Sequence, residues 1–134
     1  MKTLITRIME IVLDKPDKLA VAFKKEQLTY YELLEKIKSI GSCLANMGIQ
    51  KGDRILFTTL SKPEMVATYL GIQYCGAIAV FLDKNVTVGN IEFVYKDTNA
   101  VLVLTDKPLK HINNNIKILS LKKQCTKKIV SYRP

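Results

Sequence analysis

Apolar residues recur along this chain with two periods, and the switches between them mark out the elements. Ile5, Ile8, Met9 and Val12 fall at helical spacing and Lys15-Pro16 ends the pattern, which predicts a short amphipathic helix. Leu19 to Phe23 (LAVAF) reads as a short apolar strand, and a polar turn at Lys24-Lys25-Glu26 leads into a return at Gln27 to Thr29. Thr29 is then placed to cap a longer helix, with Glu32 three residues on completing a capping box. Leu33, Leu34, Ile37, Ile40, Leu44 and Met47 form one stripe on that helix, and Gly48 stops it.

The second half alternates more strictly. Gly52-Asp53 opens a strand at Arg54 to Thr59 (RILFTT), and Ser61 caps a helix from Pro63 to Tyr74, with Pro at an early position where its missing N–H costs nothing. Gly76 ends that helix, and Ala77 to Leu82 (AIAVFL) predicts a continuous apolar strand of the buried kind. Thr87 caps a helix running to Asp97 with Ile91, Val94 and Tyr95 inward, and Ala100 to Thr105 (AVLVLT) is again a buried strand. A weaker helical turn is predicted over Pro108 to Ile112, then a strand at Ile116 to Leu121. Apolar strands alternating with amphipathic helices predict the α/β class: a mostly parallel sheet with flanking helices and right-handed crossovers. Residues 1–121 form the expected α/β scaffold and residues 122–134 a basic tail.

Composition narrows the class. A chain of 134 residues is one domain by size and buries about two thirds of its unfolded surface. With 48% hydrophobic and 25% charged residues it is not a disordered chain. Its longest apolar runs, such as Gly76 to Leu82, fall far short of the roughly 20 residues that span a bilayer. The opening MKTLITRIMEIVLDK is interrupted by Glu10 and Asp14 and lacks a small-residue cleavage site, so no signal peptide is expected and the cytoplasm is the default.

The net charge of +9 is uneven: residues 107–134 hold seven Lys, one Arg and no acid, for +8, whereas residues 1–106 hold 13 basic and 12 acidic groups, for +1. The tail has one aromatic, Tyr132, and one Arg, Arg133, so it lacks the guanidinium forks and stacking faces of sequence-specific nucleic-acid readout. A solvated Lys-rich surface with weak, salt-sensitive attraction to polyanions is expected, with no specific nucleic acid.

Candidate chemistry is thin. Cys43, Cys75 and Cys125 are odd in number, far apart and free of Cys-x-x-Cys spacing; they read as structural thiols, not zinc ligands or a disulfide framework. His111 is the only histidine, so neither a His-based metal cluster nor a Ser–His pair can be assembled within the chain. Asp53, Asp83 and Asp106 flank the strands. They could be metal or base carboxylates, but such Asp residues more often fix loops by side-chain to backbone hydrogen bonds. No catalytic, cofactor-binding or metal residue is assigned.

Three ordered blocks carry a resemblance. The first is LTYYELLEKIKSIGSCLANMGIQKGDRI, in which Leu28, Thr29, Tyr30, Glu32, Leu33, Gly48, Gly52, Asp53 and Ile55 stand at matching places. The second combines Ser61, Pro63 and Glu64 with Leu70 to Asp83, and the third is Ile91 to Asp106. Together with PDKLAVAF they cover about Pro16 to Ser120. In this order the chain resembles the N-terminal part of the adenylate-forming superfamily: acyl-CoA synthetases, aryl-CoA ligases and peptide-synthetase adenylation domains. It departs at Cys75, where Ala is usual, at Phe81, usually Pro, and at Lys84, commonly Pro, which predicts a different path for the loop after that strand.

The resemblance implies a parent that activates a carboxylic acid with ATP and Mg to an acyl-adenylate and passes it to CoA or a carrier-protein thiol. It also implies that this stretch stops ahead of the Ser/Thr/Gly-rich phosphate loop and of the lid Lys. A triphosphate needs the backbone N–H groups of such a loop, and no Gly follows Gly89. The expectation is an N-terminal fragment, silent alone, with no cofactor of its own. Its expected partner is the remainder of the ligase, or a second copy, met through an apolar face left open because the helices lie on one side of the sheet. A shortened product acting as an interaction module is the alternative, and an anion-binding protein working through its tail is a third reading.

Overall fold

A computed structural model describes residues 3–58, 62–106 and 108–120. Helix α1 (Leu4–Asp14) starts at Thr3, whose Oγ1 accepts the Thr6 N–H at 3.1 Å. Strands β1 (Leu19–Phe23) and β2 (Glu26–Thr29) pair antiparallel around a turn in which Lys24 takes φ 55°. Helix α2 (Tyr30–Asn46) begins with the expected capping box: Thr29 Oγ1 accepts the Glu32 N–H at 3.1 Å, and Glu32 Oε1 accepts the Thr29 N–H at 2.9 Å. Two orphan helix donors are thereby satisfied at once. Gly48, at φ 90°, turns the chain out of the helix.

The remaining elements are β3 (Arg54–Thr58), α3 (Lys62–Tyr74), β4 (Ile78–Phe81), α4 (Val88–Asp97), β5 (Leu102–Thr105) and β6 (Ile118–Ser120). The four strands pair in parallel in the order β4-β3-β5-β6, with Ile55 registered on both Ala79 and Leu102. The chain therefore steps from β3 to one neighbour and then back past β3 to the other. Right-handed crossovers in opposite directions must put α3 and α4 on opposite faces.

The core follows that division. On one face Ile55, Phe57, Leu102, Leu104 and Leu119 pack with Ile8 of α1, Leu33, Ile37, Ile40 and Leu44 of α2, and Ala67, Leu70 and Ile72 of α3. On the other, Leu56 and Val103 pack with Ile91 of α4 and Ala100, joined by Val80, Val94, Leu109 and Ile112. The expectation that helices line one side only is thus wrong.

Three further expectations are corrected. The AIAVFL strand is not buried: β4 has β3 as its neighbour and lies at an edge of the four-stranded sheet, with Ile78 47% and Phe81 45% exposed. A continuous apolar run cannot by itself say whether a neighbour exists on both sides. The helical turn over Pro108 to Ile112 does not form; this stretch is irregular, His111 takes φ 62°, and Leu109 and Ile112 are instead pressed onto the α4 face. Met47 leaves the α2 stripe because it is the C-cap residue and 40% exposed, while Cys43 joins the buried set. The expected contributions of Thr59, Ser61 and Leu121, and the whole 122–134 tail, lie outside the described residues.

Helices α2 and α3 approach closely because each presents a glycine. A Cβ on Gly71 would lie 2.7 Å from Ile40 Cβ, and one on Gly41 would lie 2.5 Å from Tyr74 Cδ2. Lys36 Nζ donates to Glu64 Oε1 at 2.9 Å across the same pair of helices. Within α3, Thr68 is fully buried and its hydroxyl has no hydrogen-bond partner among the described residues. Gly71→Ala should lower stability by about 1–3 kcal/mol through overpacking. Thr68→Val, which removes the unpaired hydroxyl at nearly constant shape, should raise it by about 1 kcal/mol. Urea midpoints of the two variants, read against the parent chain, check both signs.

Candidate functional site

Where β3 exits toward one face and β5 toward the other, the carboxyl edge of the sheet has a topological switch point, the usual ligand crevice of open α/β sheets. Thr58 and Thr105 are register partners there, and both are buried. Thr58 Oγ1 donates to the Asp83 carbonyl oxygen at 3.4 Å, tying the end of β3 to the exit of β4. Asp83 Oδ2 in turn accepts the Asn85 N–H at 3.4 Å, in a turn that closes the loop. Asp106 follows β5 at the same edge.

Asp53 lies at the opposite edge, where its Oδ2 accepts the Gln50 N–H at 2.8 Å and holds the turn into β3. The structure therefore brings Asp83 and Asp106 to one end of the sheet and separates Asp53 from both. Asp53 and Asp83 act on backbone groups, as loop-fixing carboxylates do. Among the described residues no group of three or more His, Cys, Asp or Glu side chains could hold a metal ion. Residues 59–61 and 107, which follow β3 and Asp106, are outside the described set.

Two of the three thiols lie among the described residues. Cys43 is buried in the core. Cys75 is half-buried with its Sγ donating to the Ile72 carbonyl at 3.2 Å, and burial pushes its thiol above the ordinary range, so it stays protonated and weakly nucleophilic at neutral pH. Cys125 lies outside the described residues. His111 is exposed on the loop before β6.

The most distinctive surface is apolar. A cavity of about 340 Å³ opens between α1, α3 and β4, lined by Leu4, Phe57, Met65, Val66, Tyr69, Leu70 and Phe81. The Phe57 ring anchors it from the core, 5.2 Å from Phe81 and 6.4 Å from Tyr69 between centroids. Leu4 is 60% exposed and Tyr69 41%, so the patch faces solvent. An open apolar face was expected from the sequence, but its place was not. It arises where α3 leaves the edge strand uncovered, a consequence of strand order that hydrophobic periodicity does not encode. A second groove, beside α4, has a mixed polar and apolar lining, and its polar groups hold the loop: Glu92 Oε2 accepts the Asn113 N–H and Asn113 Oδ1 the Asn115 N–H, each at 2.8 Å. No helix among the described residues is long and apolar enough to cross a membrane.

Leu4→Ser and Phe81→Ser should each reduce the fluorescence of a bound hydrophobic dye while changing stability by no more than about 1 kcal/mol, since Leu4 is 60% and Phe81 45% exposed. Dye titration and urea unfolding of the same samples check this.

Comparison with known proteins gives three consistent findings. The sequence profile described as "AMP-binding enzyme" matches residues 10–134. A 2-succinylbenzoate–CoA ligase of Bacillus cytotoxicus is 30% identical over 107 residues, 80% of this chain and 22% of its own length. A 3-hydroxybenzoate–CoA ligase of Aromatoleum sp. is 31% identical over 100 residues, 75% of this chain and 19% of its own. The chain thus spans about a fifth of the length of the curated relatives it matches. Among solved structures, the N-terminal subdomain of Klebsiella oxytoca NpsA in complex with 3-hydroxybenzoyl-AMSN shares the fold with a TM-score of 0.79 at 23% identity, covering 98% of this chain and 32% of that one.

Proposed function

Since the chain belongs to the AMP-binding enzyme family, we propose that it is the N-terminal scaffold of an AMP-forming acid–thiol ligase, and that alone it is catalytically silent. In the parent the carboxylate displaces pyrophosphate from ATP to give an acyl-adenylate, and a CoA or carrier-protein thiol then displaces AMP to give the thioester. The scaffold's part is mechanical: a rigid parallel sheet on which the remaining polypeptide is assembled.

The observation that carries this reading is a family match over residues 10–134 combined with residues that do not fit the family's nucleotide. No Gly follows Gly89, so no phosphate loop can be built from the last third of the chain. At the switch point Thr58 is bonded to a backbone carbonyl and Asp83 accepts a backbone N–H, both used in holding the edge together. ATP and Mg therefore belong to the parent in this reading, and no step is routed through them here. The apolar patch beside α1, α3 and β4 favours a second reading, an interaction module that joins a separately made remainder.

Purified chain given ATP, Mg²⁺ and a panel of aromatic and aliphatic carboxylic acids should catalyse no acid-dependent exchange of labelled pyrophosphate into ATP. Exchange that survives repurification and tracks the protein peak overturns the proposal.

A further inference from the structure

Helix α1 is lightly held. Among the described residues Ile8 is the one member of its 11 that is buried, whereas α2 buries seven of 17. Ile5, Met9 and Val12 pack against the core only in part, and Leu4 and Leu13 stand 60% and 88% exposed. The helix rests chiefly on α2 and is not pressed onto α3. A cavity of about 710 Å³ lies between α1 and α3, with Ile5 and Met9 on one wall and Tyr69, Gln73 and Tyr74 on the other. Leu4 and Tyr69 line both this cavity and the apolar one of about 340 Å³. Side chains that border a void lack partner atoms on that side, so α1 gains little from seating there.

Its covalent attachment has the form of a joint. Lys15 closes the helix, its N–H donating to the Ile11 carbonyl at 2.6 Å. Directly after it the chain is pinned to the start of α2: the Tyr31 N–H donates to the Pro16 carbonyl at 3.0 Å and the Tyr30 N–H to the Lys18 carbonyl at 2.9 Å. Pro16 fixes its own φ and keeps Lys15 out of the helical region, here at φ −138° and ψ 68°. A rotation at Lys15 therefore moves α1 as a body. It leaves the ladders of both sheets intact, since these join strands alone.

We infer that α1 is a releasable strap, hinged at Lys15, that opens while α2, α3 and the four-stranded sheet stay folded. Release takes Leu4 away from both cavities and joins them beside Tyr69 into one groove along α3. It also bares the stripe of Ile5, Ile8, Met9 and Val12, so the strap sets how much apolar surface the chain shows. Such a strap operates whatever chemistry the parent enzyme performs.

The test is residue-resolved amide hydrogen exchange on the whole chain, across a urea series below the unfolding transition. Relative to their intrinsic rates, Ile8, Ile11 and Val12 should exchange at least about tenfold faster than Leu56 and Val103, through an opening with a shallower urea dependence. In Ile8→Asp, which puts a charge at the buried position of α1, the α1 amides should lose their protection. Leu56 and Val103 should stay protected by about a hundredfold or more in that variant. The same variant should bind more hydrophobic dye than the parent chain. Equal protection and equal urea slopes for α1 and the sheet overturn the inference. So does an Ile8→Asp chain in which Leu56 and Val103 lose protection together with α1. Unchanged dye binding in a variant whose α1 has opened overturns the strap's control of the apolar surface.

Discussion

The four-stranded sheet is organised around β3. It is hydrogen-bonded on both sides, to β4 and β5, and its Ile55 and Phe57 point to one core while Leu56 points to the other. Because the chain leaves β3 in one direction and returns past it in the other, the handedness of parallel crossovers dictates that α3 and α4 cover different faces. The two hydrophobic clusters, the switch point at Thr58 and Thr105, and the position of β4 at an edge all follow from that single reversal.

The same reversal leaves one part of the surface uncovered. Helix α3 is drawn toward α2 by the paired glycines Gly41 and Gly71, which let the two backbones approach. The α1–α2–α3 layer therefore closes over Ile55 and Phe57, while the side of the Phe57 ring near Phe81 opens into the cavity. The sheet thus carries a solvent-facing apolar slot beside its β4 edge. At the carboxyl edge, by contrast, Thr58 and Asp83 hold backbone groups of the loop after β4.

Much of this was legible in the sequence, and for physical reasons. Caps are local: Thr29 with Glu32, and Thr87 at the start of α4, announce helix starts through chemistry within four residues, and the structure has both bonds. Strand existence was legible because RILFT, IAVF and LVLT are β-rich runs between helical periods. Strand order was not, since which neighbour lies beside IAVF depends on crossover direction and not on its own side chains. Hence Ile78 and Phe81 read as buried when they are half exposed, and the uncovered face was placed by the wrong logic. The loop around His111 failed for a related reason: Leu109 and Ile112 have helical spacing, but they are spent on reaching the α4 face. Among the candidate carboxylates, Asp53 and Asp83 read correctly as loop anchors, because a short acid beside a turn meets backbone N–H groups first.

The account's central claim, that this chain is a working scaffold of an AMP-forming ligase, is tested most directly by a chimera. In it, this chain replaces the 107 matched residues of the Bacillus cytotoxicus 2-succinylbenzoate–CoA ligase. The measurement is acid-dependent pyrophosphate exchange, made alongside circular dichroism to establish folding. A folded chimera with exchange above that of the ligase lacking those residues is the predicted result; a folded chimera with none contradicts the account.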